Sequence, residues 1–187
     1  MVWSKKAMRS AKVRFNYDDY LLLPEDERYE ILDGEIYLIP APNTRHQRIS
    51  RQLEMALIQH VEQFGLGEIL QAPYDVVLSY ENVVQPDILL VLKAGAGVIT
   101  AMNLQGAPDL VIEILSPATR GKNAEIKRKI YAQFGVREYW IVDPEVDTIE
   151  VLAWSESGYT GAGLYRNPEH LSTPLLPNLD LPLSRIF

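Results

Sequence analysis

The chain has 187 residues, of which 47% are hydrophobic and 23% are charged. This composition is typical of one globular domain and argues against a disordered, coiled-coil or fibrous protein. The longest unbroken apolar run, Ile88–Leu92, is far shorter than the ~20 residues that a membrane-spanning helix needs. The chain has no cysteine, which excludes disulfides, thiolate metal sites, iron–sulfur clusters and cysteine nucleophiles, and is compatible with a cytoplasmic location.

The net charge of −7 is unevenly distributed along the chain. Residues 1–14 carry five basic and no acidic side chains, which leaves 13 basic and 25 acidic residues for the rest of the chain. A body this acidic is not suited to coat nucleic acid non-specifically, so phosphate would bind through a local basic patch or through metal ions. The first residues lack the apolar stretch of a signal peptide. We therefore expect a basic arm over residues 1–14 and a single domain over residues 15–187.

The first half of the chain is predicted to contain a hairpin and a long helix. Asp33-Gly34 separates two short apolar runs and is typical of a type I′ turn, so the pair predicts a hairpin. Thr44 and Gln47 have the spacing of a capping box, and Gly65 is a typical helix end. The predicted elements are a short helix over 17–23, hairpin strands over 29–32 and 35–39, a helix over 44–64, and strands over 68–71 and 75–79.

The second half contains three apolar segments, over residues 83–92, 110–115 and 138–142. Short continuous apolar runs are typical of buried central strands. A helix predicted over 122–134 separates the last two segments, and this strand–helix–strand spacing indicates a crossover that makes part of the sheet parallel. Later strands are predicted over 148–154 and 159–164, followed after Pro168 by an extended tail. The sequence thus predicts an α/β fold with a mixed sheet.

Two carboxylates occur inside the apolar strand segments. Asp87 opens one apolar run and Glu113 interrupts another. A carboxylate flanked by aliphatic strand residues is costly to bury unless a cation, hydrogen bonds or a proton neutralises it. Two such groups on neighbouring strands would form an anionic site that suits a hard divalent cation. The alternative is that each carboxylate points outward at an edge or pairs with an arginine.

Lys127 is the basic residue best placed to approach these carboxylates from the predicted helix. On a helical wheel it lies about 60° from the centre of the apolar stripe, whereas Lys129 lies about 100° and Arg128 about 160° away. The alternative is a lysine that only borders an amphipathic helix with its charge in solvent. The stripe consists of Ile126, Ile130 and Phe134.

Several motifs in chain order resemble the Uma-type restriction endonuclease family of bacteria, within the PD-(D/E)XK nuclease superfamily. They are Pro86-Asp87, the segment 113–119, the segment 127–131 and the segment 135–144. The opening stretch 29–35, together with Pro40-Ala-Pro42 and His46, is also similar. The resemblance covers residues 15–187 and implies a restriction endonuclease-like fold, in which helices flank a central mixed β-sheet.

The resemblance implies roles for individual residues. Asp87 and Glu113 become the metal-binding acids, with the backbone carbonyl of Ile114 as a further ligand and Glu30 as an additional residue of the metal site. The superfamily's basic pattern has a lysine two positions after the second acid, where this chain has Leu115. Lys127 matches the lysine that Uma-type sequences carry on the next helix instead. Family members often have an acid before that lysine, at a position where this chain has Asn123.

The implied activity is endonucleolytic hydrolysis of phosphodiester bonds with Mg²⁺, or alternatively Mn²⁺. Lys127 would orient or deprotonate the attacking water, or stabilise the charge on phosphorus. The stretch 120–129 has five basic residues and one acid, and within it Arg120, Lys122 and Lys129 are the predicted nucleic-acid contacts. The expected partner is nucleic acid, with DNA preferred over RNA. No membrane partner is expected.

Two other functions remain open at this point. A nuclease-like module with little or no activity could bind nucleic acid or a protein, and Leu115 favours that alternative. An unrelated metal-dependent hydrolase is the second. His46 and His60 lack another histidine at ligand spacing, so structural roles are expected for both. A homodimer is also left open, because many nucleases pair two active sites.

Overall fold

The structure, a computed structural model, describes residues 13–116 and 120–187. The side chain of Lys122 is the one part of these ranges that is not described. The predicted basic arm therefore lies outside the described residues except for its last two positions. The α-helices of the described residues are α1 (Tyr17–Tyr20), α2 (Thr44–Phe64) and α3 (Lys122–Gln133). The strands are β1 (Arg28–Leu32), β2 (Glu35–Ile39), β3 (Gly67–Gln71), β4 (Val76–Ser79), β5 (Asn82–Val84), β6 (Ile88–Leu92), β7 (Leu104–Gln105), β8 (Leu110–Ile114), β9 (Glu138–Asp143), β10 (Thr148–Ser155), β11 (Gly158–Arg166), β12 (His170–Thr173) and β13 (Leu176–Pro182).

The local predictions for the hairpin and the long helix are largely confirmed. Strands β1 and β2 pair antiparallel around Asp33 and Gly34, whose φ angles of 50° and 75° are the positive values that a type I′ turn requires. The helix α2 ends at Gly65 in the left-handed conformation, as predicted. Its capping residue is Asn43, whose side chain accepts from the His46 amide, so the predicted capping box starting at Thr44 is wrong.

The apolar segment predicted over 83–92 is two strands, β5 and β6, that belong to different sheets. Strand β5 pairs with β1 and β4, whereas β6 pairs with β3 and β8. The intervening Pro86 has no N–H to donate to a strand ladder, so the chain can leave one sheet and enter the other at this point. As a result, Asp87 lies immediately before β6, where the two sheets meet.

The central sheet has the strand order β11-β10-β9-β8-β6-β3. Strands β8 and β9 are parallel and joined by α3, which confirms the predicted crossover, and the other pairs are antiparallel. A second sheet has the order β2-β1-β5-β4-β7. No helix among the described residues is long and apolar enough to cross a membrane.

Hydrophobic clusters cover both faces of the central sheet. On one face, Ile112 and Ile114 pack with α2 and with the last strands of the chain. On the other face, Val111 packs with Ile130 and Tyr131 of α3 and with the second sheet. The predicted extended tail after Pro168 is instead the hairpin β12–β13, which buries apolar side chains against the α2 face. Side chains alternate along a strand, so Glu113 faces α3 together with Val111.

Candidate active site

Asp87 and Glu113 lie on adjacent central strands and face the same cavity. Strands β6 and β8 pair with Ile88 opposite Ile112, and continuing this register by one residue sets Asp87 opposite Glu113. Directly opposed residues of an antiparallel pair direct their side chains to the same face. The Asp87 Oδ2 atom also accepts a hydrogen bond of 2.7 Å from the Ile114 amide, which fixes this carboxylate at the end of β8. The alternative of outward-facing edge carboxylates is therefore wrong.

Lys127 reaches from α3 to the carboxylates that the sequence singled out. Its Nζ atom lies 2.9 and 3.0 Å from the two carboxylate oxygens of Glu113 and 2.8 Å from Oε1 of Glu30. The lysine is only 7% exposed. Burial lowers the pKa of Lys127, but the charges and hydrogen bonds of the two glutamates outweigh it and raise the pKa overall. The side chain is therefore held as an ammonium group that donates hydrogen bonds to both glutamates.

Glu113 is a carboxylate whose ionisation is opposed by its surroundings. It is 9% exposed and accepts a hydrogen bond of 2.7 Å from the Tyr131 hydroxyl in addition to those from Lys127. Burial raises the pKa of Glu113 to about 7, the charge of Lys127 opposes this shift, and the charges of Glu30 and Asp87 add to it. Burial is therefore the main cause of the raised pKa, and repulsion by the neighbouring carboxylates is secondary.

Glu30 joins the same cluster from strand β1 of the second sheet. It is 4% exposed, binds Lys127 and accepts a 2.8 Å hydrogen bond from the Gln85 amide. The predicted approach of Glu30 to the site is thus present in the structure. Its contacts in this arrangement are to the lysine and to backbone, so it positions the ammonium group. A role as a metal ligand stays a prediction.

His46 is a site residue to which the sequence analysis assigned only a structural role. Its Nε2 atom lies 3.2 Å from Asp87 Oδ2, and its Nδ1 atom is buried without a hydrogen-bond partner in the described part of the chain. Burial lowers the pKa of His46, but the hydrogen bond and charge of Asp87 outweigh it, so the pKa is raised overall. The contact depends on the start of α2 lying against the start of β6, which no local pattern reveals.

Tyr131 is a second residue whose place in the site was missed. It is fully buried, and burial with the charge of Glu113 raises its pKa well above the ordinary value, so its hydroxyl remains a donor. Tyr131 follows Lys127 by four positions, which places both side chains on one face of a helix. That spacing was available in the sequence and could have identified it.

Glu30, His46, Asp87, Glu113 and Lys127 line one cavity of about 290 Å³ between the two sheets and the start of α2. Asn123, at the position where family members often carry an acid, also lines it. Of the predicted nucleic-acid contacts, Arg120 forms a two-bond ion pair with Asp143 at 2.7 and 2.8 Å outside this cavity. Lys129 is exposed and does not line the cavity, and the side chain of Lys122 lies outside the described residues.

A family model described as "Putative restriction endonuclease", Uma2, matches residues 17–184. The chain belongs to this family. Membership confirms the resemblance carried by the motifs and supports a nuclease-like function. A crystal structure of a "putative nuclease belonging to DUF820" from Anabaena variabilis ATCC 29413 has a TM-score of 0.78 and 20% sequence identity. The match covers 92% of this chain and 97% of that chain, which confirms the restriction endonuclease-like α/β fold. No curated protein matches the sequence.

Restriction endonuclease-like families generally use divalent metals, and the donor chemistry of this site fits such an ion. The carboxylates of Asp87 and Glu113 and the carbonyl of Ile114 are oxygen donors of the kind that Mg²⁺ prefers. Within the described residues, however, no three His, Asp or Glu side chains stand close enough together to hold a metal as they are arranged. Both oxygens of Glu113 accept from Lys127, so a metal at this carboxylate would have to share them with the lysine.

Proposed function

We propose that this member of the Uma2 family is a metal-dependent endonuclease that hydrolyses phosphodiester bonds, with DNA as the first substrate to test. The observation that carries the proposal is the buried cluster in which Lys127 binds Glu113 and Glu30 beside Asp87, in one cavity. Buried titratable groups that converge on a cavity are characteristic of catalytic sites. The match over residues 17–184 supports the same activity and a single domain.

Asp87, Glu113 and the Ile114 carbonyl are the proposed ligands of the metal, which is Mg²⁺ or alternatively Mn²⁺. When bound, such an ion lowers the pKa of a coordinated water and neutralises charge on the phosphate. The chain as a whole is acidic, with a net charge of −7, so a cation at this site also offsets the repulsion that an approaching phosphate meets. Glu30, predicted as a further ligand, would contribute mainly by holding Lys127.

Lys127 is proposed to stabilise charge on the reacting phosphate. Two glutamates hold its ammonium group at the cavity wall and keep the group protonated. A fixed and largely buried ammonium donor stabilises developing negative charge without reorganisation at the moment of reaction. Of the roles that the sequence left open for this lysine, general base is the one that its raised pKa disfavours.

His46 is proposed to assist on the Asp87 side of the cavity. Its imidazole contacts Asp87 Oδ2, and the raised pKa increases the fraction that is protonated near neutral pH. A protonated imidazole there donates from Nε2 to Asp87, and its positive charge would favour a phosphate bound beside this carboxylate. Lys127 and His46 would then contribute positive charge from α3 and α2 respectively, with the carboxylates between them.

A nuclease-like binding module with little or no activity is the second candidate. Two observations favour it: Leu115 occupies the usual lysine position, and both carboxylate oxygens of Glu113 accept hydrogen bonds from Lys127. In such a module the ion pair would be structural. Arg120 and Lys129, with Lys122, would then contribute only phosphate contacts.

The deciding experiment incubates the purified full chain with plasmid DNA, single-stranded DNA and RNA, each with Mg²⁺, Mn²⁺ or EDTA. We expect strand cleavage with a divalent metal, none with EDTA, and none with Asp87→Ala under any condition. Binding without cleavage of any substrate in either metal would favour the binding module. Light scattering on the same preparation measures the oligomeric state, for which we propose a homodimer. The cysteine-free composition is compatible with a cytoplasmic location.

A further inference from the structure

A second cavity, of about 470 Å³, adjoins the candidate active site. We call it the tyrosine pocket and define it by Tyr20, Tyr29, Tyr74, Arg28, Asp75 and Gln85. Arg28 and Gln85 line both this cavity and the one that contains Lys127. A nucleotide chain with one phosphate at the catalytic groups would therefore have the tyrosine pocket beside it.

A hydrogen-bonded network forms the polar wall between the two cavities. Arg28 Nε donates to Gln85 Oε1 at 2.8 Å, and Gln85 Nε2 donates to Asp75 Oδ1 at 2.7 Å. The Tyr20 hydroxyl also donates to Asp75 Oδ1, at 2.7 Å. Burial and the hydrogen bond to Asp75 raise the pKa of Tyr20, so its hydroxyl stays protonated and the network keeps these donor roles. The wall is thus held in one arrangement before any ligand binds.

The charges around the tyrosine pocket indicate which part of a nucleotide would enter it. Glu25, Glu27 and Asp75 line the pocket, and Arg28 is the basic side chain among its described lining residues. Carboxylates disfavour a phosphate but accept hydrogen bonds from the amino groups of bases. Aromatic side chains provide surfaces on which unpaired bases stack. The interior therefore suits a base, while Arg28, at the boundary with the active site, suits the adjoining phosphate.

The pocket is connected to the catalytic lysine through the backbone of Gln85. The side chain of Gln85 belongs to the polar wall, and its backbone N–H donates a hydrogen bond of 2.8 Å to Glu30 Oε1. Glu30 in turn lies 2.8 Å from the Lys127 ammonium group. A base that moves the Gln85 side chain, or fixes it in place, would thus affect the position of Glu30, which holds Lys127.

We propose that the tyrosine pocket binds the base of an unpaired nucleotide next to the scissile phosphate, so that the substrate is single-stranded or locally unpaired nucleic acid. The position of the base next to the scissile phosphate rests on the proposed function, because the proposed active site defines which phosphate is cleaved. A paired base is stacked inside a duplex and must leave the stack to enter a side pocket. Single strands meet this requirement without the cost of unpairing.

The test measures binding of the full chain to a short DNA oligonucleotide containing 2-aminopurine, as a single strand and as a duplex, in EDTA so that nothing is cleaved. We expect the single strand to bind at least tenfold more tightly, with the fluorescence of one internal 2-aminopurine position changing most. Tyr74→Ala should weaken single-strand binding about tenfold, in line with the usual worth of base stacking. Tyr74→Phe, which retains the aromatic ring, should bind like the wild type.

Tyr80→Ala is the matched control, because Tyr80 is 54% exposed and does not line the pocket. Equal binding of single strand and duplex by the wild type would overturn the inference and needs no variant to fold. Equal effects of Tyr74→Ala and Tyr80→Ala would also overturn it. Binding in EDTA is independent of cleavage, so a protein that binds single strands here but never cuts would contradict the proposed function alone. A nuclease without this binding preference would contradict only the base pocket.

Discussion

Glu113 and Glu138 are both buried glutamates on adjacent parallel strands of one sheet, yet their surroundings differ. Glu138 is 4% exposed and accepts hydrogen bonds from the Trp140 indole at 3.0 Å, from the Leu175 amide at 3.3 Å and from the Thr173 hydroxyl. All three donors are neutral groups. Glu113 faces the opposite side of the sheet, lines a cavity and is held by the ammonium group of Lys127.

The comparison shows that burial alone does not identify a functional carboxylate. Neutral donors from the protein surround Glu138, as is usual for a buried polar group with a structural role. Glu113 depends on a buried cation, and a buried ion pair is an expensive way to stabilise a fold, because desolvation offsets its Coulomb energy. The presence of such a pair beside a cavity is therefore better explained by function than by stability.

The largest expected difference between the two glutamates is in catalysis. Glu113→Gln should reduce the rate of metal-dependent cleavage by about a thousandfold, because it removes a proposed ligand charge and weakens the hold on Lys127. Glu138→Gln should keep the rate within about threefold of the wild type, since this residue lies on the other face of the sheet. Single-turnover cleavage of a labelled oligonucleotide compares the two, and similar losses in both variants would contradict the assignment.

Stability should show the reverse order. Glu138→Gln leaves donors facing an amide nitrogen in a closed site, so we expect it to lower the free energy of unfolding by about 1–3 kcal/mol. Glu113→Gln removes a buried charge while Glu30 still neutralises Lys127, so its cost should be below about 1 kcal/mol. Urea denaturation monitored by tryptophan fluorescence measures both. A larger cost for Glu113→Gln would indicate that its ion pair has a structural role.

The pH dependence of stability sharpens the comparison further. Glu113 has its pKa raised from an ordinary value of 4.5 to about 7 in the folded protein. The folded state therefore holds a proton that the unfolded state has lost, and the contribution of Glu113 to stability should fall as the pH rises from 4.5 to 7 and then level off. The free energy of unfolding of the wild type minus that of Glu113→Gln, measured at each pH, isolates the contribution of Glu113. A difference that is flat, or that rises with pH, would contradict the raised pKa.

Tyrosine hydroxyls near the site provide the smallest expected effect. Tyr131 donates to Glu113, so Tyr131→Phe should cost about 1 kcal/mol of stability and a few-fold in cleavage rate. Tyr139, close by in the same core, has a buried hydroxyl with no hydrogen-bond partner among the described residues. Tyr139→Phe should therefore be neutral or slightly stabilising, and a larger loss from it than from Tyr131→Phe would contradict the arrangement.

The features predicted well from the sequence are those set by local patterns. Helix α2 has the predicted bounds, because an apolar stripe and a terminal Gly65 define it. Glu113 and Lys127 were identified because one interrupts an apolar run and the other borders an apolar stripe, and neither argument needs long-range contacts. Asp87 was identified in the same way. The predicted strand over 83–92 was nevertheless wrong, because the chain changes sheets at Pro86.

The features that were missed depend on contacts between distant segments. His46 contacts Asp87 only because the start of α2 packs against the start of β6, which no helical wheel or motif spacing encodes. Glu138 was not recognised as buried, since it stands at the edge of its apolar run and its partners come from residues 173–175. The tyrosine pocket likewise joins α1, β1 and the loop before β4.

Cleavage by Lys127→Ala and Lys129→Ala, measured side by side under single-turnover conditions with Mg²⁺, tests the central claim most directly. The two substitutions remove the same charge from the same helix, but Lys127 is buried against Glu113 and Lys129 is exposed. We expect Lys127→Ala to lower the rate by at least a hundredfold at saturating enzyme, and Lys129→Ala to weaken binding modestly in a salt-dependent way. Equal effects of the two variants on the cleavage rate would contradict a catalytic Lys127 and favour a binding module.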